Sequence, residues 1–128
     1  DLWVKLLGNL AFNPISALAR ATLVEIVTHP EAGALARAIM TEADSVARAV
    51  GIEVPVSVDR RMAGAEKVGR HKTSMLQDLE MGRPMELESV VAAVLELGKK
   101  VGVPMPNTGA VYACAKLLGD SISIDSGS

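Results

Sequence analysis

The stretch PEAGALARAIMTEADSVARAVG, residues 30–51, decides the fold. Its apolar residues Leu35, Ala36, Ile39, Met40, Ala43, Val46, Ala47 and Val50 recur at steps of three and four, which gathers them on one face of an α-helix. Gly51 suits the stop, because glycine takes the left-handed backbone that closes many helices at little cost. A helix with one apolar stripe has to bury it against other elements.

Upstream, Leu2 to Phe12 is apolar almost all round and reads as a buried helix. Asn13-Pro14 disfavours its continuation, since the residue before proline avoids the right-handed helical region. Pro14 then suits the first turn of a second, short helix through Ile15, Leu18 and Ala19. Downstream, Ile52 to Val58 alternates weakly but contains Pro55, which makes it a connector rather than a strand. Further helices are expected over about Asp59 to Val68, from Ser74 to the turn at Gly82-Arg83-Pro84, from Leu87 to Val101, and after a cap at Asn107 or Thr108. Residues 1–119 make one all-α domain, and the Ser/Asp/Gly-rich residues 120–128 read as a flexible tail.

Composition narrows the class. The chain has 128 residues, enough for one core, and is 49% hydrophobic but only 2% aromatic, so Ala, Leu, Val, Ile and Met must build that core. A formal net charge of -2 with mixed signs offers no field for nucleic acid. No apolar run reaches the roughly 20 residues that span a bilayer, so no membrane partner is expected, and a cytoplasmic location follows. The single Cys114 lies in an apolar helical stretch and is expected to pack as a small hydrophobe. His29 and His71 stand without Cys or Asp at ligand spacing, so no metal is expected. The pairs Arg60-Arg61 and Lys99-Lys100 read as solvated faces. The chain opens at Asp1 and enters apolar Leu2-Trp3-Val4 at once, as a piece of a longer protein would.

One polar pattern stands out. Lys5, Asn9 and Asn13 are four apart, so a helix stacks all three along one face of an otherwise apolar segment. Burying an ammonium is costly unless it is paired, so a lysine on such a helix has one of two explanations. Either it faces a ligand, as a proton donor flanked by amides that bind ligand oxygens, or it snorkels to water while Asn13 ends the helix. Spacing leaves both open.

Two later residues have the same double reading. Ser74 with Gln77 has the form of a capping box, yet a serine at a helix start can also bind a substrate carboxylate. Glu86 falls in a first helical turn, where acidic residues are favoured by the dipole, and Glu88 competes for that role.

Three pieces in order carry a resemblance. They are Trp3-x-Lys5-x-x-x-Asn9-x-x-x-Asn13-Pro14-Ile15-Ser16-Ala17-Leu18, then Thr73-Ser74-Met75-Leu76-Gln77-Asp78 continuing through Gly82-Arg83-Pro84 to Glu86, then Pro104-x-Pro106-Asn107-Thr108. Together they resemble the C-terminal domain of ketopantoate reductases over about residues 2–119. The resemblance implies a compact helical domain of the 6-phosphogluconate dehydrogenase C-terminal-like type. It further implies NADPH-dependent reduction of 2-dehydropantoate, a small 2-oxo acid, in coenzyme A biosynthesis. The cofactor would be bound mainly by an N-terminal Rossmann domain that is not in this chain, with the active site in the cleft between the domains.

By the same resemblance Lys5 matches the catalytic lysine, which hydrogen-bonds the ketone oxygen and supplies the proton. Asn9 and Asn13 match substrate-contacting amides, Ser74 matches the serine that binds the substrate carboxylate, and Glu86 matches the acid that holds the substrate hydroxyl and lies against the cofactor. Two positions depart from the pattern: Met85 stands where members commonly carry Thr, and Leu23 where some place an Asn that touches substrate. The chain itself has no Gly-x-Gly-x-x-Gly run and no opening strand, the parts a dinucleotide site needs. Alone it should be inactive. An alternative expectation is a non-catalytic binding or dimerisation module, since an apolar cleft face around Leu2, Val4 and Leu6 would drive association into a homodimer.

Overall fold

The computed structural model describes residues 2–85 and 91–127, with side chains described over 5–85 and 91–122. Among these residues there are seven helices and no strand. They are α1 (Leu2–Ala19), α2 (Leu23–Thr28), α3 (Pro30–Ala49), α4 (Val58–Val68), α5 (Ser74–Glu80), α6 (Ala93–Val101) and α7 (Pro106–Gly127). The all-α expectation holds.

The stripe on α3 is the centre of the core. Ala36, Ile39, Met40, Ala43, Val46 and Ala47 are all buried, and α3 packs against α1, α2, α4, α6 and α7. His29 caps its start: the imidazole Nδ1 accepts from the N–H groups of Glu31 and Ala32, and Pro30 follows, where a missing N–H costs nothing. Gly33 lets α2 come close, because a Cβ there would meet the Val27 carbonyl oxygen at 2.8 Å.

α1 corrects the first reading of the sequence. It runs through Pro14 without ending, from Leu2 to Ala19. A proline inside a helix removes one hydrogen bond and typically costs about 3 kcal/mol, but Pro14, Ile15, Ser16 and Ala17 are all buried against the rest of the domain. Burial outweighs the local preference for a break. The helix ends instead with Arg20 at φ 54° and the Ala21 N–H donating to the Ser16 carbonyl at 3.1 Å, a closing pattern that usually carries glycine.

Three further expectations are revised. Cys114 is exposed on α7, because Val111 and Ala115 take the inward positions of that helix. Arg61 is not part of a solvated face: only Arg60 is exposed, while the Arg61 side chain is buried, with its NH2 2.5 Å from Asp44 Oδ2 and its Nε donating to the Val56 carbonyl at 3.1 Å. α7 is capped across space rather than by its own chain. Glu42 of α3 accepts from the N–H and side chain of Asn107 through Oε2, and from the N–H and hydroxyl of Thr108 through Oε1, at 2.6–3.0 Å. Burial alone would raise the Glu42 pKa, but these donors prevail and hold it below the ordinary glutamate value. α7 then continues as helix to Gly127, past the end expected for the domain.

Candidate active site

α1 and the segment entering α5 meet at a cleft of about 770 Å³. Lys5, Asn9 and Asn13 all line it, one turn apart along α1, with Ser74 across from them. Lys5, Asn9 and Ser74 are exposed and Asn13 is half-buried. No hydrogen bond or ion pair engages any of their four side chains among the described residues. The opposite face of the same helix is fully committed to the core through Leu7, Leu10, Ala11 and Ile15. α1 runs on past Asn13, so Asn13 does not end the helix, while the exposed Lys5 is compatible with both readings of the stripe.

Ser74 is released from capping by its neighbour. The N-cap of α5 is Thr73, whose Oγ1 accepts from the Leu76 N–H at 3.2 Å. That corrects the capping box expected of Ser74 and Gln77, whose side-chain amide donates to the Lys72 carbonyl at 3.0 Å instead. Thr73 is also bonded to Ser16, both side chains being buried. The Ser16 hydroxyl donates to the Asn13 carbonyl at 2.9 Å, so its remaining role toward Thr73 is acceptor. A continuous relay therefore runs from the Leu76 N–H through Thr73 and Ser16 to the backbone of Asn13. It fixes the start of α5, and with it Ser74, against the polar face of α1.

Sequence reasoning did not find this relay. Ser16 extends the stripe by one further helical step, and that spacing is the signal that was there to be read. Nor did it place Arg61 and His71 on the cleft, which both line. Glu86, the fifth expected site residue, lies outside the described residues. Met85 before it is partly buried and packs against the core. Gly82, with φ 72°, closes α5, and Arg83 pairs with Asp78 at 3.2 Å, which ties the approach to Glu86 back onto the helix.

No group of three or more His, Cys, Asp or Glu among the described residues could hold a metal ion, and no described helix is long and apolar enough to cross a membrane. The cleft combines one ammonium, two amides and a hydroxyl on its polar side, none of them engaged among the described residues. That set can bind an oxyanion, orient a carbonyl and deliver a proton. Because the described residues contain no strand, they have no strand–turn–helix unit to cradle a dinucleotide pyrophosphate.

A helical domain with a lysine in its cleft is the class that fold and site define. The chain belongs to the ketopantoate reductase family: the family model described as ketopantoate reductase PanE/ApbA C terminal matches residues 1–119. It is 53% identical over 118 residues to 2-dehydropantoate 2-reductase of Mesorhizobium japonicum, an alignment covering 92% of this chain and 36% of that protein. Among solved structures it is similar to 2-dehydropantoate 2-reductase from Methylococcus capsulatus, with a TM-score of 0.87 and 37% identity over 94% of this chain and 39% of that one. It is also similar to a D-mandelate dehydrogenase solved with NADH and anilino(oxo)acetate, with a TM-score of 0.83 and 25% identity over 94% of this chain and 68% of that one. The chain thus spans about a third of the length of the curated reductase it matches.

Proposed function

We propose that this chain is the proton-donating and substrate-binding part of an NADPH-dependent 2-dehydropantoate 2-reductase. One observation carries the reading: Lys5, Asn9, Asn13 and Ser74 converge on one cleft with their polar groups unengaged among the described residues. A nicotinamide cofactor, held mainly by an N-terminal Rossmann domain, would supply a hydride to the keto carbon. Negative charge then grows on the ketone oxygen, where the Lys5 ammonium stabilises it and passes over a proton. Asn9 and Asn13 orient the oxygens of the substrate, and Ser74 donates to its carboxylate. By the family resemblance, Glu86 would hold the substrate hydroxyl beside the cofactor. The site closes between the two domains, in a cytoplasmic enzyme that self-associates as a homodimer.

The test joins this chain to the region encoded upstream of it and follows NADPH consumption with 2-dehydropantoate. The expected outcome is turnover in the joined protein, none in the chain alone, and loss of turnover in Lys5→Ala. A joined protein that binds NADPH but reduces no 2-oxo acid would sink the reading.

A further inference from the structure

Away from the row on α1, one charged side chain of the cleft is buried. Arg61 lines the cleft, yet its side chain keeps only 4% of its surface exposed. α4 puts it there. With Met62 and Ala65 it forms the inward face of that helix, whose start is fixed by the Ser57 hydroxyl accepting from the Arg60 N–H at 3.2 Å. The guanidinium is held but not used up: Nε donates to the Val56 carbonyl and NH2 pairs with Asp44, while NH1 has no partner among the described residues.

Arginine is rarely buried unless it is paired, and a buried pair is weak evidence for stability, since apolar side chains of like volume pack as well or better. The placement of this pair supplies another reason for it. Asp44 is not among the residues that line the cleft; it borders a separate hollow of about 230 Å³ with Arg48, Ile52, Glu53 and Val54. The pair is therefore oriented, with its cation toward the cleft and its carboxylate away from it. None of the described lining residues is Asp or Glu, so Lys5 and Arg61 together give the cleft a positive interior. The two cations differ in chemistry. An ammonium can give up its proton during turnover, whereas a guanidinium keeps its charge at any working pH.

We propose that Arg61 is a positioning residue for the substrate carboxylate, a permanent buried cation that holds the anion in the cleft while Lys5 spends its proton. This rests on the proposed 2-oxo acid reduction at the same site. NH1 is closed to solvent, so the charge acts on the cleft through the protein, where it is screened far less than in water. Asp44 offsets part of that charge, but from the far side.

The experiment uses the joined, full-length reductase and two paired replacements, each removing both charges at once. Asp44→Leu with Arg61→Met fills the site with hydrocarbon, and Asp44→Asn with Arg61→Gln keeps neutral hydrogen-bonding groups there. Calorimetry without cofactor measures binding of pantoate, the 2-hydroxy acid product, and of its neutral amide, which lacks the carboxylate charge. Each replacement is expected to weaken pantoate binding by about tenfold and to leave the amide within about threefold. With 2-dehydropantoate the loss should fall on KM rather than kcat, because Lys5 still delivers the proton. Equal weakening of acid and amide, unchanged pantoate binding in a folded variant, or a loss confined to kcat overturns the inference. So does failure of both replacements to fold, which makes the pair structural. A wild type that binds pantoate but reduces no 2-oxo acid counts against the proposed function alone, so the two failures are told apart.

Discussion

The polar face of α1 and the Glu42 clamp on α7 are both polar clusters set into an apolar helical domain, and they are handled in opposite ways. At the clamp both carboxylate oxygens are fully engaged. Both carboxylate oxygens of Glu42 accept two hydrogen bonds each, and the Asn107 and Thr108 donors would otherwise be loose ends of a helix. On α1, the side chains of Lys5, Asn9 and Asn13 face open space with no partner among the described residues. A polar group that stabilises a fold is saturated by it, whereas a group kept for a ligand is left with capacity. The Asp44–Arg61 pair lies between these cases: it is buried and bonded, but Asp44 Oδ1 and Arg61 NH1 have no partner among the described residues.

The comparison breaks first at Lys5. In the joined protein, Lys5→Ala should lower kcat by about 10²- to 10⁴-fold, the usual worth of a positioned proton donor. Because Lys5 is exposed and makes no bond among the described residues, the melting curve of the isolated domain should not move. A large loss of stability would place Lys5 with the saturated clusters. Next comes the intermediate pair. Asp44→Ala strands a buried guanidinium and should cost about 3 kcal/mol in urea unfolding, while Asp44→Leu combined with Arg61→Met should recover most of it.

At the clamp, Glu42→Gln keeps the shape but replaces one acceptor with a donor, and should cost about 1–2 kcal/mol. The pH dependence follows from the lowered pKa. Glu42 binds its proton less readily in the folded state, so its contribution is complete above the unfolded value of 4.5 and is lost as pH falls through the lower folded value. Acid unfolding of Glu42→Gln should therefore lack this component, and its stability deficit should shrink below about pH 4. A deficit that stays constant there would contradict the assignment of the clamp.

The smallest effect is a control on both regions. Arg20 holds φ 54° at the end of α1, where glycine is unstrained. Arg20→Gly should stabilise the domain by about 0.5–1 kcal/mol in the same unfolding assay without altering kcat/KM of the joined protein.

Much of this was legible in advance for definite reasons. The α3 stripe, the stop at Gly51 and the connector around Pro55 are local, since periodicity, a glycine with φ 82° and a proline all act through neighbouring residues. The convergence of Lys5, Asn9 and Asn13 followed from helical spacing, provided that the helix formed. Other features were hidden because long-range partners decide them. Pro14 was read as a break because its cost is local, while the burial that overcomes it comes from the rest of the domain. Ser74 was read as a cap because Thr73 and Ser74 are equally good candidates on paper, and only Ser16, far off in the chain, shows which hydroxyl faces inward.

The sequence by itself determined that this protein is a helical domain with Lys5, Asn9 and Asn13 on one face, because side-chain periodicity and backbone preferences are properties of neighbours. Tertiary structure alone decided that Ser74 is free to face that row, that Arg61 is buried while Arg60 is not, and that Glu42 closes α7. Each of those outcomes depends on which distant group satisfies a polar atom, and no local pattern records that.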